Sequence, residues 1–185
     1  MNVTFMDENE IITRCLNGDT EAFEMIVNRY QEPLLALCWS VLRNPEEARD
    51  TTQDAFIQAF HHLGRYDPER SLKNWLYSIA YHRCLDKIRK FKSFQNYVKI
   101  GAPAEQDPRY SDIRSPGDAE FSPEIQRQLG RLPRKERIAL LLKARDGYTA
   151  GEIAQIFDCA ESTARVYLFN ARRKLQKWLK EKENV

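Results

Sequence analysis

LPRKERIALLLKARDGYTAGEIAQIFDCAESTARVYLFNARRKLQKWL, residues 132–179, is the stretch from which the rest of this 185-residue chain can be read. It parses into a short helix, a turn with a glycine, a second short helix, a tight polar turn and a long basic helix. That order is the layout of a helix-turn-helix, whose last helix can enter the major groove of DNA. Such a unit needs a small residue where its two helices cross, and Ala154 supplies it between Ile153 and Phe157. Asp158, Cys159 and Ala160 form the expected turn, with Glu161 or Ser162 as the cap of the next helix. Ala164, Leu168, Ala171 and Leu175 then make its inward stripe at helical spacing. Arg165, Val166, Phe169, Asn170 and Arg173 are left on or near the outward face. Arg and Asn can read purine edges, and an apolar side chain can contact a thymine methyl. The alternative is a basic helix that only solvates its own surface.

The formal charge of +2 excludes a general polycation, but the distribution is uneven. Seven bases stand against Glu181 between Ser162 and Lys182, and five against Asp86 between Arg83 and Lys92. Between Pro103 and Glu124 six acids outnumber Arg109 and Arg114. Two basic patches joined by an acidic connector point to two nucleic-acid contacts. Cys15, Cys38, Cys84 and Cys159 have no paired short spacing, so buried thiols are expected and neither zinc nor a disulfide framework. No membrane-length apolar run and no leader pattern occurs, so a cytoplasmic protein without membrane insertion is expected.

Glycine is scarce and β-type alternation nearly absent, which predicts an all-α chain. Asp19 caps a first helix whose Ala22, Phe23, Ile26, Val27 and Tyr30 share one side. Pro33 is expected to open a second, with Leu34, Leu37, Cys38, Val41 and Leu42 inward. Asn44 and Pro45 start a third, in which Ala48, Thr52, Ala55, Phe56, Ala59, Phe60 and Leu63 recur at helical spacing. After a break at Gly64 and residues 65–71, a fourth helix runs from about Leu72 to Lys90. Periodicity is lost over 93–122, where prolines and acids suggest a flexible linker. The expected division is therefore a helical domain 1–92, an acidic linker 93–122 and a second helical domain 123–185.

The third helix has a polar face of Glu47, Asp50, Gln53, Asp54 and Gln58 beside Ile57. That charge disfavours DNA, so any ligand there is a protein. The fourth helix runs from aromatics (Trp75, Tyr77, Tyr81, with Tyr66 in the preceding loop) into the basic run at 89–92. Rings interleaved with cations suit single-stranded DNA, because unpaired bases stack on the rings while the cations hold phosphates.

ARDTTQDAFIQAF (48–60) followed by NWLYSIAYHRCLDKIRK (74–90) resembles region 2 of the extracytoplasmic-function group of bacterial sigma factors. Residues 132–175 resemble region 4 of the same group, and the two halves occur in the family's order. The resemblance implies a two-domain all-α initiation factor with no catalytic residues, no cofactor and no metal. It implies that Asp50, Gln53, Asp54 and Ile57 dock on the β′ clamp of core RNA polymerase, with region 4 near the β flap. Tyr66, Ser71, Tyr77, His82, Arg83, Lys87 and Arg89 would face the melted −10 element of promoter DNA. Ser162, Thr163, Arg165, Val166, Phe169, Asn170 and Arg173 would read the −35 element. An anti-sigma protein is the implied inhibitor. The chain departs from the family pattern at His82, where Asn is usual, and at Asn170, where Arg is common. Two other classes compete: an autonomous helix-turn-helix regulator with an N-terminal sensing domain, and a metal enzyme using His61, His62, His82 and the cysteines. The histidine and cysteine spacings match no recognisable metal site.

Overall fold

A computed structural model describes residues 7–98 and 122–183, and among them every regular element is helical. The N-terminal half consists of α1 (Glu8–Leu16), α2 (Ala22–Leu42), α3 (Pro45–His62), a 3-10 turn (Leu63–Arg65) and α4 (Leu72–Val98). The C-terminal half consists of α5 (Pro123–Arg131), α6 (Arg134–Ala144), α7 (Ala150–Phe157) and α8 (Glu161–Glu183). Most of the expected linker, at 99–121, lies outside the described residues.

Three features differ from the expectations of periodicity. α1 is an additional helix, and Ile11, Ile12 and Cys15 bury one side of it. Pro33 does not divide two helices: α2 runs unbroken through it. Proline in a helix interior forfeits one backbone hydrogen bond and typically costs about 3 kcal/mol. Here Phe23, Ile26 and Tyr30 before it and Leu34, Leu37 and Cys38 after it are buried in one core, which holds the two segments in line. The third difference is that α4 continues to Val98.

Local signals set several helix ends. The Asn44 side chain accepts a hydrogen bond from the Glu47 backbone N–H at 3.0 Å, with Pro45 as the first helical residue. Arg43 ends α2 in the left-handed region at φ 56°, which turns the chain sharply from α2 into α3. α2, α3 and α4 enclose a core of Leu34, Leu37, Ala48, Ala55, Leu76, Ala80 and Cys84. Cys15, Cys38 and Cys84 are buried and Cys159 is half-buried, all as free thiols. No described helix is long and apolar enough to cross a membrane.

The two halves pack against each other through α4 and α7, and again where α6 meets α2. Tyr81 of α4 stacks on Phe157 of α7 with ring centroids 4.7 Å apart. Arg137 of α6 donates to the Ser40 carbonyl oxygen of α2 at 3.2 Å.

Candidate nucleic-acid and protein interfaces

The helix-turn-helix is built from α7 and α8 over α6. Thr149 and Glu152 form a reciprocal cap: the Thr149 hydroxyl accepts from the Glu152 N–H at 3.2 Å, and the Glu152 carboxylate accepts from the Thr149 N–H at 2.7 Å. This pairing satisfies otherwise orphaned donors at the start of α7. The Thr149 backbone N–H, then its hydroxyl, holds the Glu152 carboxyl below the ordinary glutamate range. A carboxyl with a lowered folded pKa stabilises fully above its unfolded value. The contribution is thus complete above pH 4.5, the ordinary value, and disappears as pH falls through the lowered folded one. Thr149→Ala is expected to cost about 1 kcal/mol. Circular-dichroism melts across pH 3–7 check both statements: the variant's deficit should shrink toward the acid end.

Asp158 closes α7 in the left-handed region at φ 50°, the tight turn the sequence required. α8 then begins at Glu161, so Ser162 lies inside its first turn instead of preceding it as a cap. Ala164, Leu168 and Ala171 are buried, as their spacing predicted, and Leu175 is half-buried. On the opposite side Arg165, Val166, Phe169 and Arg173 are exposed, with Thr163 and Asn170 half-buried beside them. Phe169 is 62% exposed, and the Arg173 guanidinium lies 5.7 Å from its ring centroid. An aromatic left in water on a basic helix is a feature that contact with bases would explain. Arg165 pairs with Glu161 at 2.6 Å on the surface. Exposed pairs of this kind contribute about 0–1 kcal/mol, so Arg165 can exchange partners cheaply.

In the N-terminal half, α3 presents Asp50, Gln53, Asp54 and Ile57 together on its exposed face. Ile57 is 57% exposed among these acids. Phe60, a core residue by its spacing, is 39% exposed and rests edge-on against Phe23, 5.1 Å between centroids. It therefore extends the apolar part of the same surface, one helical turn from Ile57. The signal available in the sequence is its position at i+3 from Ile57.

The candidate −10 residues fall into three groups. Tyr66 and Ser71 frame the loop before α4. Tyr66 packs on Trp75, 5.2 Å between centroids, and donates its hydroxyl to the Arg70 carbonyl oxygen. Ser71 accepts from the Asn74 N–H at 3.3 Å and so caps α4. His82 and Arg83 line a cavity of about 320 Å³ between α3 and α4 with Gln58, Trp75, Ser78, Ile79 and Asp86. His82 Nδ1 donates to the Ser78 carbonyl oxygen at 2.8 Å, and Nε2 has no hydrogen-bond partner among the described residues. Arg89 is exposed and pairs with Asp86. Gln58, Ser78, Ile79 and Asp86 join the groove without a strong signal of their own, although 75, 78, 79, 82, 83 and 86 share one helical face.

Tyr77 and Lys87 are placed differently. Tyr77 is fully buried, its ring 5.2 Å from that of Tyr148 in the other half. Burial pushes its phenol well above the ordinary tyrosine range. Lys87 turns toward α3 and pairs with Glu47 at 2.6 Å. Burial of its stem works against the charge, but Glu47, then Asp50 and Asp54, outweigh it and raise the ammonium pKa. In this arrangement Tyr77 cannot touch DNA, and Lys87 supports the acidic face of α3. Among the described residues, no group of three or more His, Cys, Asp or Glu could hold a metal ion.

Comparison with known proteins matches residues 26–94 to Sigma-70 region 2 and residues 122–175 to Sigma-70 region 4. The chain is 33% identical to the ECF RNA polymerase sigma factor SigW of Bacillus subtilis, over 92% of this chain and 95% of that one. It is 29% identical to the RNA polymerase sigma-H factor of Pseudomonas aeruginosa, over 96% of both. Among solved structures, the sigma factor RpoE in complex with the anti-sigma factor NepR from Bartonella quintana superposes with a TM-score of 0.69 at 22% identity, covering 86% of this chain and 98% of that one. CnrH in complex with the cytosolic domain of CnrY gives 0.65 at 22% identity, covering 92% and 96%.

Proposed function

Because the chain belongs to the extracytoplasmic-function group of RNA polymerase sigma factors, we propose that its two halves divide promoter recognition between melted and duplex DNA. As an alternative sigma factor it directs core polymerase to particular promoters and helps open the −10 region. It works in the cytoplasm as a specificity subunit, and the chemistry of RNA synthesis stays with the core enzyme.

The α3 face of Asp50, Gln53, Asp54 and Ile57, extended by Phe60, docks on the β′ clamp. The loop of Tyr66 and Ser71, with His82, Arg83 and Arg89 along α4, meets the unpaired −10 strand. Thr163, Arg165, Val166, Phe169, Asn170 and Arg173 read the −35 duplex near the β flap, with Ser162 at the start of that helix. The proposed division is a −10-binding domain over 1–92, an acidic connector over 93–122 and a −35-binding domain over 123–185. RpoE and CnrH were each solved with a protein partner, and by analogy we assign this chain an anti-sigma inhibitor.

The observation that carries the reading is the opposition of surfaces within one chain. An acidic and apolar helix face suits protein, while an exposed basic and aromatic helix suits duplex DNA. Run-off transcription with purified core polymerase tests it. A promoter-dependent transcript is expected, and its absence from every candidate upstream region overturns the reading. Tight duplex binding by a dimer without polymerase would favour the autonomous regulator instead.

Arg165→Ala is expected to weaken −35 recognition by roughly 1–3 kcal/mol, as for loss of one base contact. Transcription from single-base −35 variants measures it. An unchanged sequence preference with uniformly weaker binding would reassign Arg165 to phosphate contact.

A further inference from the structure

α8 is held at its flank as well as by its buried stripe. Ala164, Leu168 and Ala171 form that stripe, and α6 and α7 both pack against it. Two of the three are alanines, which allow close approach but interlock little, so they fix the rotation of α8 about its axis poorly. A polar anchor lies beside them. The Lys174 ammonium donates to both carboxylate oxygens of Glu136, at 2.9 and 2.8 Å, in the first turn of α6. Glu136 is only 8% exposed, so its charge has largely left water and depends on a partner. Further along, the Arg131 guanidinium of α5 lies 4.5 Å from the Trp178 ring. Both anchors hold α8 just beyond its exposed Arg165, Val166, Phe169 and Arg173.

By charge alone Lys174 belongs with the bases of α8 that would meet phosphates. The helix period turns it away from its neighbour Arg173, by about 100°, and toward α6. Its bonds to a buried carboxylate are also far costlier to break than the exposed Arg165–Glu161 pair. Small rotations of α8 matter on the opposite side. A side-chain tip about 6 Å from the helix axis moves roughly 1 Å when the helix turns by about 10°. A hydrogen bond to a base edge tolerates a change of only about 0.5 Å. Asn170 is short and half-buried, so it can adapt least.

We infer that Lys174 is a positioning residue: paired with Glu136, it sets the rotation of α8 at which the −35 bases are read. The inference rests on the −35 reading proposed above. Lys174 itself touches neither base nor phosphate. Its effect is on which sequence α8 prefers, exerted through the angle at which Asn170 and Arg173 meet the major groove.

The test uses holoenzyme assembled from core polymerase and the full chain. Its binding is measured on promoter DNA with the preferred −35 sequence and with single-base variants, at several salt concentrations. Lys174→Gln and Glu136→Gln should each reduce the sequence preference about fivefold or more, with the salt dependence unchanged. Because the two groups act as one, the double variant should be no worse than either single variant. Lys174→Arg can keep both bonds to the carboxylate and should retain the wild-type preference. Circular dichroism at the assay temperature checks folding. Should a single variant melt, the double variant, whose two amides can pair, decides by the same loss of preference. Uniformly weaker binding to every −35 sequence, with a salt slope smaller by about 0.9, would make Lys174 a phosphate contact and overturn the inference. So would a lower melting temperature with the preference intact, which a merely structural tie predicts. Wild-type holoenzyme without any −35 preference would instead overturn the underlying reading, so the two failures are distinguishable.

Discussion

Asp54→Lys should lower affinity for core RNA polymerase by about 2–4 kcal/mol, roughly thirty- to a thousandfold. Asp54 is exposed on α3 between Asp50 and Ile57, so the substitution leaves the core packing untouched. The expected loss has two parts: an attractive charge contact disappears, and a repulsive one replaces it in the desolvated centre of an interface. Ile57 sharpens the expectation, because an apolar side chain that is 57% exposed beside acids favours an interface with a dry centre and a charged partner. Fluorescence anisotropy of labelled factor against purified core measures the affinity, and far-UV circular dichroism checks that helix content is unchanged. Full affinity in a folded variant would return this face of α3 to solvent.

Ile153→Ala should remove about 2–5 kcal/mol from the C-terminal half, the range for truncating a fully buried isoleucine. Ile153 has no exposed surface and sits in the core that α7 shares with Ile138, Leu142 and Ala164. A helical unit of this size has little stability to spare. The unit is expected to melt near room temperature, with loss of duplex binding and of the contact with α4. Thermal melts by circular dichroism, with a −35 duplex binding assay, measure both. A loss below about 1 kcal/mol would mean that the neighbours collapse around the missing atoms.

Much of this architecture is legible in the order of residues because helices announce themselves by period. The stripe Ala164, Leu168 and Ala171 is buried as its spacing required, and Asn44 caps α3 as its side chain and the following proline suggested. The Asp158 turn follows from the same local chemistry. Local rules fail where burial outweighs them. Pro33 is a helix breaker by its own geometry, yet a core on both sides carries α2 across it. α1 is short and mostly polar, and its three buried residues gain their meaning only from α2.

The sequence by itself determined the all-helical class, the helix-turn-helix, the acidic face of α3 and the outward residues of α8. Each of these is a property of one helix: the 3.6-residue period assigns residues to faces, and capping chemistry fixes the ends. Only the tertiary structure decided what lies against each face. Tyr77 and Lys87 stand on the helix proposed to meet the −10 strand, yet one is buried under Tyr148 and the other is paired with Glu47. The groove joining Gln58 of α3 to His82 and Arg83 of α4, and the contact that closes the two halves on each other, were likewise settled by packing. A helix's period states which side chains travel together, while the free energy of covering that side depends on residues far away in the chain.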